Sequence, residues 1–349
     1  MKDCKKIVTI PQTGPTCWFN ALLMGFFYSQ GMRRALFSCV PQWKSDNNEA
    51  SELYKMFLDI LVNSYIKKAH IQLLYPEKIL KKFHKMDPEM FKHDPDIHEG
   101  GVADAYTNSL FKFFDLYDDT LFVQFTYRYD QKVFATKAPS MGILPRSRKM
   151  SAFPKVIVLE ANHSLKNKTY IDWTLKDVVL AETRDHIKYV RSGMKTLAKD
   201  YIDIETGIMT YNEEKYIIDS VFIANFNSVT CSAGHAIAGV TCNQRKFIYN
   251  GWTMRTKDPG LKGANNLPIN SCELMAYDWL DDDNTYCINK KMCNMRKATP
   301  GEDSDQICFN FHKGYRAYYA VRADLITKKI KKDNNKLACP PEFYDFKMK

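Results

Sequence analysis

Cys17 lies in the segment Gln-Thr-Gly-Pro-Thr-Cys-Trp, where an apolar helical pattern begins directly after a Gly-Pro pair. A thiol attacks as its thiolate, and a helix start stabilises a thiolate through its dipole and its free backbone N–H groups. Gln12, five residues earlier, can bring a side-chain amide near the sulfur. Together with the backbone N–H of Cys17, that amide would form an oxyanion hole. We therefore interpret Cys17 as a nucleophile with Trp18 covering one side of it, against the alternative of a buried core cysteine.

A thiol nucleophile needs a base, and His235 is the candidate among eight histidines. It follows Gly234 in Ser-Ala-Gly-His-Ala-Ile-Ala-Gly-Val, where small residues leave room for a substrate backbone beside the imidazole. Asn250 comes fifteen residues later, at the end of the next predicted strand. Adjacent antiparallel strands would let Asn250 accept the second imidazole N–H and fix the tautomer. The alternatives are a structural histidine and an Asn-Gly turn.

The elements that must position these residues change character along the chain. A largely buried helix is predicted from Thr16 to Phe37, followed by helices over about Glu49–Lys67 and Val102–Leu116. A period of two, typical of strands, follows at Leu121–Tyr129, Lys155–Glu160, Tyr216–Asn225, His235–Thr241, Arg245–Tyr249 and Tyr315–Arg322. The three residues Cys-Asn-Gln between the fourth and fifth of these strands suit a hairpin. Helices first and an antiparallel sheet later predict an α+β fold.

The domain prediction follows from the same pattern. We expect one catalytic domain with a helical lobe and a mainly β lobe, a polar exposed insertion within the β lobe, and a basic C-terminal tail. The corresponding ranges are 1–322 for the domain, about 1–118 and 119–322 for the lobes, about 280–306 for the insertion and 323–349 for the tail.

The residues around Cys17 and His235 resemble the ubiquitin-specific proteases of the papain-like superfamily. The cysteine segment is similar to that family's Asn-x-Gly-x-Thr-Cys-aromatic-x-Asn-Ser/Ala box, and Gly234-His235 with Phe247-Ile-Tyr-Asn250 resembles its histidine box. Three weaker pieces occur in the family's order, namely Gly101–Tyr106, Pro154–Leu159 and Tyr318–Arg322. The resemblance spans about residues 10 to 322 and implies a papain-like fold, with the cysteine on the helical lobe and His and Asn on the β lobe.

The chain also departs from that family's pattern. Gln12 stands where the family has Asn, Asn250 where it more often has Asp, and Thr107 where its helix has Glu. The paired Cys-x-x-Cys knuckles of the fingers subdomain are missing. The resemblance implies ubiquitin or a ubiquitin-like protein as substrate, and a viral polyprotein is the main alternative.

Composition restricts the possible functions less than these motifs do. Fifty basic and forty acidic side chains give a net charge of +10, which we interpret as a solvated basic surface. Apart from Lys328, Lys329, Lys331 and Lys332 the charge is not concentrated, which argues against dedicated nucleic-acid binding. No apolar run reaches the length of a membrane span. The Lys-, Asn- and Tyr-rich composition is typical of an AT-rich genome, such as that of a large DNA virus.

The cysteine count predicts the compartment. Ten cysteines in 349 residues, without an export signal, predict mostly free thiols in a reducing, intracellular and cytoplasmic setting, either host cytoplasm or virion if the protein is viral. No cofactor is expected. Zinc held by Cys287, Cys293, Cys308 and His312 is the less favoured alternative to free thiols, because the spacing does not match a standard finger.

The sequence thus predicts a thiol hydrolase that cleaves peptide or isopeptide bonds through an acyl-enzyme. In this hypothesis Cys17 attacks, His235 transfers the proton, Asn250 orients His235 and Gln12 helps to hold the oxyanion. The alternative from another class is a catalytically silent descendant that acts as a structural or interaction protein, for example in a virion.

Overall fold

The computed structural model describes most of the helical and strand regions. The described residues are Cys4, Ile7, Thr9, Ile10 and Gln12, together with the ranges 14–63, 75–92, 103–128, 133–136, 153–161, 202–203, 206–211, 213–227, 232–251, 272–280, 285–289, 295–297, 306–310 and 315–327.

The first predicted helix is two helices, α1 (Cys17–Phe27) and α2 (Gln30–Phe37). Ser29 interrupts the run because its backbone is extended, with φ −73° and ψ 140°. A carboxylate from a distant strand then starts the second helix, since Asp219 accepts hydrogen bonds from the backbone N–H groups of Gly31 and Met32. The prediction of one continuous helix was therefore wrong, and the interruption depends on a residue that local periodicity does not include.

Three further helices complete the helical part of the described chain: α3 (Asn48–Asn63), α4 (Pro76–Met86) and α5 (Ala103–Phe113). The helix α3 begins one residue before the predicted start at Glu49, and residues 64–67 of that prediction lie outside the described residues. The helix α5 ends three residues before the predicted Leu116. The helix α4 was not predicted, although Pro at its first position and buried Ile79, Leu80 and Phe83 at helical spacing are its sequence signals.

Within the described residues, ten strands form one large sheet, namely β1 (Thr120–Arg128), β2 (Val133–Thr136), β3 (Val156–Ala161), β4 (Ile202–Asp203), β5 (Ile208–Tyr211), β6 (Glu214–Asn227), β7 (Ser232–Cys242), β8 (Arg245–Tyr249), β9 (Met275–Ala276) and β13 (Tyr315–Arg322). Their order is β2-β1-β3-β13-β6-β7-β8-β9, with β5 paired to β6 and β4 paired to β5. The chain is therefore α+β with a large sheet, as predicted. The sheet is mixed rather than purely antiparallel, because β1 pairs with β3 in parallel.

The hairpin of β7 and β8 carries the candidate base and its orienting residue. Its turn consists of Asn243 and Gln244, whose φ values are 49° and 64°. Positive φ at both central residues is the geometry of a two-residue turn that matches the twist of the strands. Cys242 pairs with Arg245 within the ladder, so the predicted three-residue connection is one residue shorter.

The segment predicted as a polar exposed insertion contains strands. A second sheet has the order β11-β10-β12, with β10 (Thr285–Asn289), β11 (Met295–Lys297) and β12 (Gln306–Asn310) all antiparallel. Ile288 and Phe309 of this small sheet are buried. The predicted insertion of about 280–306 therefore includes paired strands and the buried Ile288, and its polar stretches between the strands lie outside the described residues.

The large sheet separates two apolar clusters. On one face, alternate residues of β7 and β8, such as Ala236, Ala238 and Phe247, pack with the apolar residues of α1. On the other face Ile237 and Ile248 pack with Trp279 and with Phe309 of the small sheet. Alternation along a strand places successive side chains on opposite faces. Neighbouring residues of β7 therefore belong to different layers of the molecule.

Disulfides join distant parts of the chain. Cys4 is bonded to Cys242 at the end of β7, and Cys287 of β10 is bonded to Cys308 of β12. Cys272 is also disulfide-bonded, and among the described cysteines Cys17 and Cys39 are free. The prediction of mostly free thiols was thus wrong for the described residues. Cys4 and Cys242 are 238 residues apart, so composition and spacing could not reveal the pairing.

The chain continues from β13 into a short helix, α6 (Ala323–Thr327). The rest of the predicted basic tail, including Lys328, Lys329, Lys331 and Lys332, lies outside the described residues. Within the described part of the chain, no helix is both long enough and apolar enough to span a membrane.

Candidate active site

Cys17 is the first residue of α1, and its sulfur lies beside the strand that carries His235. Thr16 precedes the helix with φ −100° and ψ 10°, and makes no side-chain capping hydrogen bond. The backbone N–H groups of Ala236, Trp18 and Cys17 lie near the sulfur and lower its pKa. Because Ala236 directly follows His235, the backbone of the strand that carries the candidate base lies beside the helix start. The His235 side chain contacts Phe309, which belongs to the layer on the other face of the sheet.

The Cys17 thiol is partly exposed, and burial raises its pKa above the ordinary value of 9.0. The three N–H groups act in the opposite direction but do not outweigh desolvation. Burial at this helix start therefore favours the neutral thiol, whereas the sequence led us to expect a stabilised thiolate. Attack by this sulfur needs a base that removes the proton.

The side chains of His235 and Asn250 are in contact. The imidazole Nε2 and the Asn250 Oδ1 are 2.7 Å apart, and the two residues are 2% and 0% exposed. An amide oxygen only accepts, so the Nε2–H donates to it and Nδ1 is left as the basic nitrogen. The Asn250 Nδ2 in turn lies 4.0 Å from the Cys272 sulfur, which helps to fix the amide.

A β-bulge lies next to His235. His235 pairs with Asn225 of β6 and Ala233 pairs with Phe226, so Gly234 between them has no opposite residue. A bulge of this kind bends the strand and changes the direction of the adjacent side chain. Gly234, which we predicted to lie beside a bound substrate, is the bulged residue directly before His235.

Gln12 lies beside the strand end that bears Asn250. Its backbone N–H donates to the Gly251 carbonyl at 2.7 Å, directly after Asn250. Its side-chain Nε2 donates to the Gly14 carbonyl at 2.9 Å, and its buried Oε1 has no hydrogen-bond partner among the described residues. The amide nitrogen carries two N–H groups, and the hydrogen bond to Gly14 uses one of them.

Trp18 packs inward and has little surface for a ligand. It is 4% exposed, and its ring meets the Tyr106 ring edge-on at a centroid distance of 5.1 Å. Phe19 and the aromatic residues of α4 and α5 continue the same cluster. In this structure Trp18 supports the helix start from the core.

Phe309 is a neighbour of His235 that was not found from the sequence. Its ring, from β12 of the small sheet, lies 6.2 Å from the imidazole centroid at an interplanar angle of 62°. Phe309 is 1% exposed and belongs to the apolar cluster on the face of the sheet opposite α1. The alternating pattern Gln-Ile-Cys-Phe-Asn was the available signal for this strand.

The zinc alternative concerns the same small sheet. Cys287 and Cys308 form a disulfide, and sulfurs in a disulfide are not thiolate ligands. Cys293 and His312 lie outside the described residues. Within the described part of the chain no cluster of His, Cys, Asp and Glu has the arrangement of a metal site.

No protein-family model matches the chain, and no curated protein matches it. Among solved structures, the chain is similar to one of the SAGA Ubp8/Sgf11/Sus1/Sgf73 deubiquitinating module bound to ubiquitin aldehyde, with 9% identity and a TM-score of 0.41 over 92% of this chain and 70% of that chain. It is also similar to the Saccharomyces cerevisiae Pan2 pseudoubiquitin hydrolase–RNA exonuclease module in complex with RNA, with 9% identity and a TM-score of 0.41 over 94% and 55%. The isolated Pan2 pseudoubiquitin-hydrolase gives 11% identity and a TM-score of 0.34 over 93% and 87%. The likeness at these TM-scores is loose, and the functional assignment depends on this chain's own residues.

Proposed function

We propose that this protein is a thiol hydrolase that cleaves peptide or isopeptide bonds through an acyl-enzyme on Cys17. The observation that carries the proposal is the 2.7 Å contact between His235 Nε2 and Asn250 Oδ1. His235 lies on a strand whose next residue, Ala236, has its N–H near the free Cys17 at the start of α1. The contact leaves Nδ1 unprotonated, which a base requires. A nucleophile, a base and an orienting residue are the minimum set for this chemistry.

The proposed reaction begins with attack of the Cys17 sulfur on the carbonyl carbon, while its proton passes to His235 Nδ1. The tetrahedral intermediate collapses when the C–N bond breaks and His235 returns the proton to the leaving amine. Water then attacks the thioester, loses a proton to His235 and releases the carboxylate and the thiol. Because the pKa of Cys17 is raised by burial, His235 acts as a general base during attack rather than as the partner of a resting thiolate.

The oxyanion would be held by the backbone N–H of Cys17 and by the amide of Gln12. The N–H belongs to a helix start without a side-chain cap, so a developing negative charge meets a favourable dipole there. One N–H of the Gln12 amide donates to the Gly14 carbonyl, and the second N–H would donate to the oxyanion.

The proposed substrate class is ubiquitin or a ubiquitin-like protein, since the resemblance of the cysteine and histidine segments to ubiquitin-specific proteases points to it. A viral polyprotein is the alternative substrate. In either case Phe309 must give way or a substrate must enter from the helix side, because His235 is almost fully buried.

The second candidate function is a catalytically silent interaction protein on the same fold. Two observations favour it, namely the 2% exposure of His235 and the raised pKa of Cys17. A site maintained for packing alone would keep the His–Asn hydrogen bond and would not need access to the imidazole.

Labelling with a ubiquitin C-terminal electrophile probe tests the proposal. We expect labelling of the native chain, none of Cys17→Ala and little of His235→Ala, with Cys39→Ala as the control because Cys39 is the other described free cysteine. Reaction of Cys17 with a small electrophile at neutral pH, but not with this probe, would point to a protease with another substrate. Silence towards both reagents would support the interaction protein and reject the hydrolase.

A further inference from the structure

Tyr249 is a fully buried tyrosine at the end of β8, directly before Asn250. Its side chain lies on the face of the sheet that packs against α1, in the same cluster as the apolar residues of that helix. Its hydroxyl donates a hydrogen bond to the carbonyl of Ile10 and accepts one from the side-chain amide of Asn20. One hydroxyl therefore connects the N-terminal segment, α1 and β8.

The partners of this hydroxyl are close to the reacting groups. Asn20 is three residues after Cys17, so both lie on the same side of α1. Ile10 is two residues before Gln12, whose backbone N–H donates to the Gly251 carbonyl at 2.7 Å. The tripeptide from Ile10 to Gln12 is thus held at one end by the Tyr249 hydroxyl and at the other by the strand end that bears Asn250.

Gly251 shows how closely these parts meet. A Cβ at position 251 would lie 2.5 Å from the Tyr249 hydroxyl oxygen and 3.3 Å from the Cβ of Gln12. A side chain at position 251 would clash with the Tyr249 hydroxyl and crowd the Gln12 Cβ, so it would push Tyr249 and Gln12 apart. The contact between the hydroxyl and the N-terminal segment depends on this glycine.

We infer that Tyr249 is a positioning residue, which sets the place of Gln12 relative to Cys17 through its hydrogen bonds to Ile10 and Asn20. The inference rests on the proposed thiol hydrolase, since it assigns Tyr249 a role in holding the oxyanion donor. It predicts that loss of the hydroxyl weakens only reactions in which a carbonyl oxygen becomes negatively charged. A hydroxyl that merely stabilises the fold would affect every reaction of Cys17 equally or none.

Two reagents that attack the same sulfur separate these cases. Acylation by p-nitrophenyl acetate forms a tetrahedral oxyanion: a bond from the Cys17 sulfur to carbon forms, the thiol proton passes to His235, and p-nitrophenolate leaves. Alkylation by iodoacetamide displaces iodide and forms no oxyanion. Peptide mass spectrometry would give both rates at Cys17, with Cys39 as an internal reference, and a fluorogenic ubiquitin C-terminal amide would give kcat and KM.

The matched pair of variants is Tyr249→Phe and Tyr216→Phe. Tyr216 is also fully buried, and its hydroxyl also donates to a backbone carbonyl, that of Pro154 at 2.9 Å, on a strand away from Cys17. Both variants should lose a similar amount of thermal stability. Removal of one oxyanion donor lowers kcat by about 10² to 10³, so for Tyr249→Phe we expect acylation and kcat to fall about tenfold or more. Its KM and alkylation rate should stay within about twofold, and Tyr216→Phe should match the native chain in all four.

A double variant tests whether Tyr249 acts through Gln12. If it does, adding Tyr249→Phe to Gln12→Ala should slow acylation by less than about twofold further, because coupled residues are not additive. Should Tyr249→Phe fail to fold, Gly251→Ala displaces the hydroxyl from the other side and is expected to show the same selective loss of acylation.

The outcomes are distinguishable from those of the proposed function. If the native chain hydrolyses neither p-nitrophenyl acetate nor the ubiquitin C-terminal amide, the proposed hydrolase function itself is rejected. A native chain that turns over substrate, with Tyr249→Phe indistinguishable from Tyr216→Phe, would reject only the role of Tyr249. Equal losses of acylation and alkylation in Tyr249→Phe, or full additivity with Gln12→Ala, would also overturn it.

Discussion

The starts of α1 and α2 differ in what meets their free backbone N–H groups. At α2 the Asp219 carboxylate accepts hydrogen bonds from Gly31 at 2.8 Å and from Met32 at 2.9 Å. At α1 no side chain caps the helix, and the buried Thr16 hydroxyl has no hydrogen-bond partner among the described residues. The N–H groups of Cys17 and Trp18 instead face the Cys17 sulfur.

This difference separates a structural helix start from one available for chemistry. The α2 start is closed by the buried Asp219 carboxyl group, although burial raises the pKa of that group. It is part of a buried network, in which Ser29 donates to the Asp219 carbonyl and accepts from the Thr241 N–H. The uncapped start of α1 can instead stabilise a negative charge that forms only during a reaction, through its dipole and its backbone N–H groups.

Asp219→Ala should have the largest effect, because it leaves the N–H groups of Gly31 and Met32 buried without acceptors. We expect the free energy of unfolding to fall by about 3 kcal/mol, as measured by urea unfolding. Ser220→Ala is the matched control, since the neighbouring buried Ser220 hydroxyl has no partner among the described residues. An Asp219→Ala chain as stable as Ser220→Ala would show that the carboxylate does not hold the α2 start.

The pH dependence of Cys17 alkylation tests the open start of α1. Because burial raises the pKa of Cys17 above 9.0, the thiolate fraction is small at neutral pH and grows with pH. The iodoacetamide rate should therefore rise about tenfold per pH unit, or about a hundredfold between pH 6.5 and 8.5. A rate that is already level below pH 7 would instead indicate a thiolate paired with protonated His235.

The contribution of Lys246 to the pH dependence of stability tests the buried network behind the α2 start. Burial lowers its pKa to about 8, against the opposing effects of Asp219 and Asp278. Between about pH 8 and pH 10 the unfolded chain keeps a proton that the folded chain has lost, so stability from this group rises with pH. The native chain should gain about 2 kcal/mol over Lys246→Met between pH 7.5 and 10.

Urea unfolding at both pH values measures this difference, and Lys215→Met, at an exposed position of β6, serves as the control. A difference between the native chain and Lys246→Met that does not change with pH would contradict the lowered pKa.

The smallest effect is expected for Thr16→Val. Since the Thr16 hydroxyl is buried without a partner among the described residues, replacing it by a methyl group removes no hydrogen bond. The free energy of unfolding should stay within about 0.5 kcal/mol of the native value, and Cys17 alkylation should be unchanged. A loss above about 1 kcal/mol would mean that Thr16 does cap α1 in solution.

Local patterns in the sequence predicted the elements around the site well. The strands β7, β8 and β13 have nearly the predicted bounds, because two-residue periodicity and the turn residues Asn243 and Gln244 are local signals. The same signals predicted that His235 and Asn250 lie close together on adjacent strands, and their side chains are in contact in the structure.

Features that depend on distant residues were not predictable in this way. The interruption between α1 and α2 requires Asp219, which lies 188 residues from Gly31. The contact of Phe309 with His235 requires the small sheet to dock on the large one. The orientation of Gln12 and the raised pKa of Cys17 depend on burial, which follows from the packing of both layers and not from spacing.

The bond between Cys4 and Cys242 makes a covalent ring of the chain between them, and that ring contains both Cys17 and His235. A protease cut anywhere between Cys17 and His235 would therefore leave the nucleophile and the base on two fragments, which the disulfide keeps joined under non-reducing conditions. Asn250 lies outside the ring and stays attached through the eight residues that follow Cys242. A nicked chain should thus migrate as intact protein until a reductant separates the two halves.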